Sequence, residues 1–132
     1  MGVPNLYPSR GTTLPGTFKA QGVWTGGGAA TNCTKAAADW NRGIASVNYT
    51  AATGIYTITF LDVGQQIVGH KIGFGQQTGV NPLAYCVRNG SFSATTKSVI
   101  VEFSASDSGT LTDLLTTDKL YIEFEFATSP PP

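Results

Sequence analysis

The chain has 132 residues, eight basic and eight acidic side chains, zero formal net charge and only 12% charged residues, so its total charge gives neither nucleic acid nor an anionic membrane a reason to bind. It is the length of one ordinary domain and too short for two, and no stretch approaches the ~20 apolar residues of a membrane span. Hydrophobic residues make up 41%, with Gly, Thr, Ser and Ala in place of charge, the composition of a β-rich protein with many turns.

Residues 1–16 contain Pro4, Pro8 and Pro15, each of which removes a backbone donor and disfavours helix before it. An extended N-terminal arm is expected. Leu6, Tyr7 and Leu14 give it apolar teeth and Arg10 its one charge, and it either lies along its own domain or reaches a neighbouring subunit. The opening residues lack the apolar run of a secretory leader, so synthesis in the cytoplasm is expected.

Thr17 to Trp24 reads as a first strand, with Phe18, Ala20 and Trp24 on one side. Gly26-Gly27-Gly28 ends it; no Gly-Lys-Ser/Thr sequence follows, which makes a plain loop the reading rather than a phosphate cradle. Thr34 to Trp40 fits a helical turn or a loop. Ser46 to Thr50 and Gly54 to Val63 then form a hairpin across the turn Ala51-Ala52-Thr53-Gly54. In the second strand Tyr56, Ile58 and Phe60 take one face and Ile55, Thr57, Thr59, Leu61 and Val63 the other, because side chains alternate along a strand. With both faces half apolar, a central strand covered on both sides is expected.

Gln66 to Phe74 places Val68, His70, Ile72 and Phe74 on one face, and Gly69, Gly73 and Gly75 suggest bending or a bulge. Leu83, Tyr85 and Val87 share a face of the next strand, and Val99, Val101 and Phe103 of the one after the turn at 93–97. The segment 107–118 breaks the alternation, and Thr112 is placed to cap a short helical turn through Asp113-Leu114-Leu115. Lys119 to Phe126 has the cleanest alternation: Leu120, Ile122, Phe124 and Phe126 inward, Tyr121, Glu123 and Glu125 outward. Residues 130–132, Pro-Pro-Pro, are expected to form a disordered tail.

About seven strands with short loops define an all-β fold. It is a single antiparallel β-sandwich over residues 17–129, with jelly-roll or Greek-key connections. Charge is uneven along it. Through Lys97 there are seven basic residues against two acids, and from Ser98 onward Lys119 faces six acids. A solvated surface is the plain reading, and head-to-tail association of copies the alternative.

Catalytic chemistry has little to stand on. His70 is the one histidine, lies in a strand pattern and has no nucleophile motif beside it. Cys33 and Cys86 lack metal-ligand spacing, and free thiols are expected. Glu123 and Glu125 sit two apart on one strand, whereas paired catalytic carboxylates face each other across a cleft. No catalytic residue, metal or cofactor is assigned. Trp24, Trp40, Tyr49, Tyr56, Tyr85 and Tyr121 are candidates for a sugar-stacking platform, with core packing the commoner fate of such rings.

Three features together carry a resemblance. Gly16-Thr17-Phe18 opens the domain, Gly54-Ile55-Tyr56-Thr57-Ile58-Thr59-Phe60 follows a Ser46-Val47 strand, and Leu120-Tyr121-Ile122-Glu123-Phe124-Glu125-Phe126 closes after an Asp-containing loop. Over residues 17–129 the chain resembles the head-decoration, or cement, proteins of tailed bacteriophages; its Ala127-Thr128-Ser129 ending departs from the polar Asn-Ser ending of similar chains. The resemblance implies a non-enzymatic virion protein on the outer surface of the head, often a homotrimer. Its partners would be the major capsid protein and further copies of itself, with no nucleic acid or membrane. Leu6, Tyr7, Arg10, Leu14, Phe18 and Trp24 are the candidate partner contacts. A carbohydrate- or receptor-binding module of a phage fibre is the alternative, and a small tail or neck component a third.

Overall fold

Among the described residues, side chains that alternate between apolar and polar build eight strands: β1 (Thr17–Thr25), β2 (Asn41–Arg42), β3 (Ile44–Tyr49), β4 (Ile55–Phe60), β5 (Gln66–Gln76), β6 (Leu83–Val87), β7 (Ser98–Ala105) and β8 (Lys119–Ala127). The computed structural model describes residues 16–76 and 83–128. The expected arm and the Pro-Pro-Pro tail lie outside the described residues. The strands form two four-stranded antiparallel sheets, in the orders β2-β1-β8-β5 and β3-β4-β7-β6. Strand β8 returns beside β5 after β6 and β7 have passed to the other sheet, and β7 inserts between β4 and β6, which is a Greek-key return. The expected all-β sandwich is the fold.

The core is made where the inner faces meet. Leu120, Ile122, Phe124 and Phe126 of β8 are buried, as are Tyr56, Ile58 and Phe60 of β4 and Val99, Val101 and Phe103 of β7. Phe60 stands edge-on to Phe124 and Phe126, with ring centroids 5.3 and 5.0 Å away. Each such pair adds ~0.5–1.5 kcal/mol beyond burial itself, so this aromatic knot fixes how the two sheets stack.

Three expectations are corrected. Strand β4 is central in its sheet, yet only one of its faces is covered: Ile55, Thr57 and Thr59 remain half-buried, because a two-layer sandwich leaves the outer face of each sheet without a third layer. In β5 the register shifts between Ile67, opposite Phe126, and Gly69, opposite Glu125. The bulge turns Val68 outward, 45% exposed, and packs Ile67 against the core instead. Finally, no helix occurs among the described residues. Leu111 makes a bridge to Ser104 and no helical turn forms at 112–115, while at 34–40 the loop of the two alternatives is found: Thr34 bridges Thr25 and Asp39 N donates to Ala36 O at 3.0 Å in the turn that follows.

Charges that are separated along the chain are interleaved by the fold. Lys19 of β1 meets Glu123 of β8 at 3.5 Å, Arg88 meets Glu102 of β7 at 2.7 Å, and Lys119 meets Asp39 at 3.5 Å. The uneven charge therefore produces mixed surfaces rather than two opposed poles.

Candidate interaction surfaces

His70 Nδ1 lies 2.9 Å from Tyr85 Oη, with the two rings edge to face, and so links β5 of one sheet to β6 of the other at the open side of the sandwich. Cys33 is buried and Cys86 exposed, and both are free thiols. Burial pushes the Cys33 thiol up to about 12, which disfavours its thiolate at neutral pH. Glu123 Oε1 accepts from Gln21 Nε2 at 3.0 Å and from Tyr121 Oη at 2.8 Å, and Glu125 Oε2 accepts from Thr17 Oγ1 at 2.7 Å. Burial alone would raise the Glu123 carboxyl, but the Tyr121 and Gln21 hydrogen bonds and the Lys19 charge outweigh it and hold the group below the usual range. Among the described residues no three His, Cys, Asp or Glu side chains gather where they would hold a metal.

The two outer faces differ in kind. That of β1, β8 and β5 carries two bonded groups, Lys19, Gln21 and Tyr121 around Glu123, and Thr17 with Glu125. The outer face of β3, β4, β7 and β6 is built from Ser46, Asn48, Thr57, Thr59, Ser98 and Ile100, with the Arg88–Glu102 pair as its ion pair. Such hydroxyl-rich, weakly charged sheet faces need little desolvation of charge to be covered.

One end of the sandwich is tied into a rigid unit. Asp113 Oδ1 accepts from Gly54 N at 2.7 Å and its Oδ2 from Ala30 N at 3.0 Å, joining the β7–β8 loop to the β3–β4 turn and the β1–β2 loop. Gly28 N donates to Leu114 O at 3.0 Å, Leu114 N to Tyr56 Oη at 2.9 Å and Leu115 N to Asp118 Oδ2 at 2.8 Å. Gly54 has φ +76° and a Cβ there would stand 2.6 Å from Phe103 O, so glycine is required. Above this framework Leu111 and Leu115 are 37% and 47% exposed, while Leu114 between them is buried. The bound loops thus present two apolar side chains at one end, with Ala29, Ala30, Ala51 and Ala52 exposed on the loops tied to them.

Leu6, Tyr7, Arg10 and Leu14 of the candidate contacts lie outside the described residues. Trp24 is a core residue, 6% exposed, whose Nε1 donates to Asn41 Oδ1 at 3.1 Å; its ring has no outward face to offer. Phe18 packs its ring on Phe126, centroids 5.5 Å apart. Neither forms a surface with the other. The sugar platform is dispersed: Trp24 and Tyr56 are in the core, Tyr49 stands edge-on to Tyr56, Tyr85 is bonded to His70 and Tyr121 lies on the opposite sheet. Trp40, 52% exposed, is left as a lone outward ring. The Leu111–Leu115 end was missed from sequence, since nothing in a lone Asp in a loop signals which distant amides it will bind.

Comparison with protein families, with curated proteins and with solved structures returned no match for this chain.

Proposed function

We propose that the protein is a structural component of a tailed-phage virion, which binds the outer surface of the head and stabilises it by bridging major capsid proteins. The observation that supports this best is the clamped end of the sandwich. Two exposed leucines on a loop already fixed by Asp113 offer apolar side chains with little ordering entropy left to lose. A ligand that binds the assembled shell and not its free subunits stabilises the shell by mass action. Many copies side by side on one shell gain avidity without large individual interfaces.

The test is cosedimentation of the purified protein with expanded heads that lack their own decoration. The full chain pellets with the heads, and Leu111→Asp combined with Leu115→Asp stays in the supernatant. Deleting residues 2–15 tests the arm in the same assay; unchanged occupancy removes the arm from the mechanism.

A second reading rests on Trp40. An outward indole suits stacking on a sugar ring, as in a carbohydrate- or receptor-binding module of a phage fibre. A glycan array separates the two, because that reading requires binding that Trp40→Ala abolishes.

A further inference from the structure

We infer that the edge of β6, unpaired among the described residues, is a self-pairing edge, on which two copies join antiparallel about a two-fold axis centred on Tyr85. This goes beyond the head-binding reading and is tested without heads.

An exposed strand edge is a template for another strand, and folded proteins normally guard it. The other edges here are guarded. The edge of β3 is covered by the segment before β2: Cys33 N donates to Val47 O at 2.9 Å and Tyr49 N to Asn32 Oδ1 at 2.9 Å. β2 is two residues long. β5 is interrupted by two register shifts and carries Lys71. β6, Leu-Ala-Tyr-Cys-Val, has no charge and no proline, and keeps one unbroken register from Leu83 opposite Ala105 to Val87 opposite Val101.

Hydrogen-bond parity identifies the groups it offers. Arg88 N donates to Ile100 O, so residues of that parity, Ala84 and Cys86, turn their backbone groups toward β7. Phe103 N and Ala105 N, opposite Tyr85 and Leu83, donate away from β6, to Gly54 O and Thr110 O. The N–H and C=O of Leu83, Tyr85 and Val87 therefore point to the open side. Among the described residues their contact there is the Cys86 thiol, 3.5 Å from Val87 O.

A second copy fits this edge better than an arbitrary strand does. With Tyr85 opposite Tyr85, Leu83 falls opposite Val87 and the three outward residues exchange six backbone hydrogen bonds with their counterparts. On the outer face small Ala84 meets Cys86, and no like charges oppose each other across the seam. On the inner face the two His70–Tyr85 pairs meet at the axis. The strand is short, so the contact is weak between free molecules and becomes effective where a lattice holds copies side by side.

The test uses the full-length protein in three readouts. Sedimentation from about 10 μM to about 1 mM, the range in which so small a contact associates, shows a monomer–dimer equilibrium. Over the same range amide exchange slows at least tenfold at Leu83, Tyr85 and Val87 and is unchanged at Ala84 and Cys86. The two Cys86 side chains come roughly 7–8 Å apart on the diagonal, too far for a disulfide but within reach of a short bismaleimide, which yields a covalent dimer. Ala84→Lys, at an exposed position, removes all three signals with its thermal unfolding unchanged; Cys86→Arg repeats the result by sedimentation if the first variant unfolds. A monomer throughout, a trimer, or a dimer that survives both substitutions would overturn the inference.

Discussion

Asp113 and Gly54, fifty-nine positions apart in the chain, are joined by a 2.7 Å hydrogen bond from the Gly54 amide to the Asp113 carboxylate. The other oxygen of the same carboxylate holds Ala30, so one side chain gathers three loops. Replacing Asp113 by Ala removes both charge-assisted bonds and should lower unfolding free energy by about 2 kcal/mol, less than the sum for two buried bonds because the Ala30 contact is exposed. Urea unfolding measures the loss, and faster amide exchange at Ala30 and Gly54 shows that the clamp itself has opened.

The Tyr56 hydroxyl accepts from the Leu114 amide at 2.9 Å inside the core. Tyr56→Phe leaves a buried donor without its acceptor, at a cost of ~1–3 kcal/mol. Burial pushes this phenol up to about 12, and the Cys33 thiol, also through burial, up to about 12. Both groups are thus raised above their unfolded values of about 10 and 8.5. The stability they contribute is fully present below pH 8 and is lost as pH rises toward 12. The urea midpoint should fall over that alkaline range, and Tyr56→Phe should make the fall shallower.

The two thiols should separate cleanly by reagent. Cys86 is exposed and Cys33 buried with a raised thiol, and it is the thiolate that reacts. A disulfide reagent at pH 8 should titrate one thiol per native chain quickly, and the second only in denaturant. Cys86→Ser should abolish the fast phase.

On the acid side, the Glu123 carboxyl is held low by Tyr121, Gln21 and Lys19. A carboxyl lowered on folding contributes stability above its unfolded value, and that contribution disappears as pH falls through the lowered folded value. Melting temperature should therefore decline through the acid range, and Glu123→Gln should flatten that decline while leaving the alkaline limb in place.

Much of the fold was legible because strand periodicity reads directly into burial: Leu120, Ile122, Phe124 and Phe126 face inward, as do Val99, Val101 and Phe103. The bending of β5 is legible in its glycines, since its two register shifts fall at Gly69 and across Gly75, but the change of facing is not, and a one-residue slip is what moves Val68 outward and Ile67 inward. Thr112 to Leu115 reads locally as a helical turn; the long-range bonds from Gly54, Ala30 and Tyr56 overrode that preference. Trp24 shares a strand face with Phe18 and Ala20 in the sequence and is named there as a candidate partner contact, and that face is the one that goes to the core, where Trp24 is 6% exposed. The clamped end and the β6 edge were illegible for a common reason. Both depend on which distant backbone groups are satisfied, and that is a property of topology rather than of any short stretch.

The measurement that bears most directly on the head-binding proposal is an electron-microscopy map of the virions that carry this chain. The account predicts density for the eight-stranded sandwich on the outer surface of the head, with the Leu111 and Leu115 end against the shell. Density on a fibre, tail or neck, or particles without the protein, would contradict it.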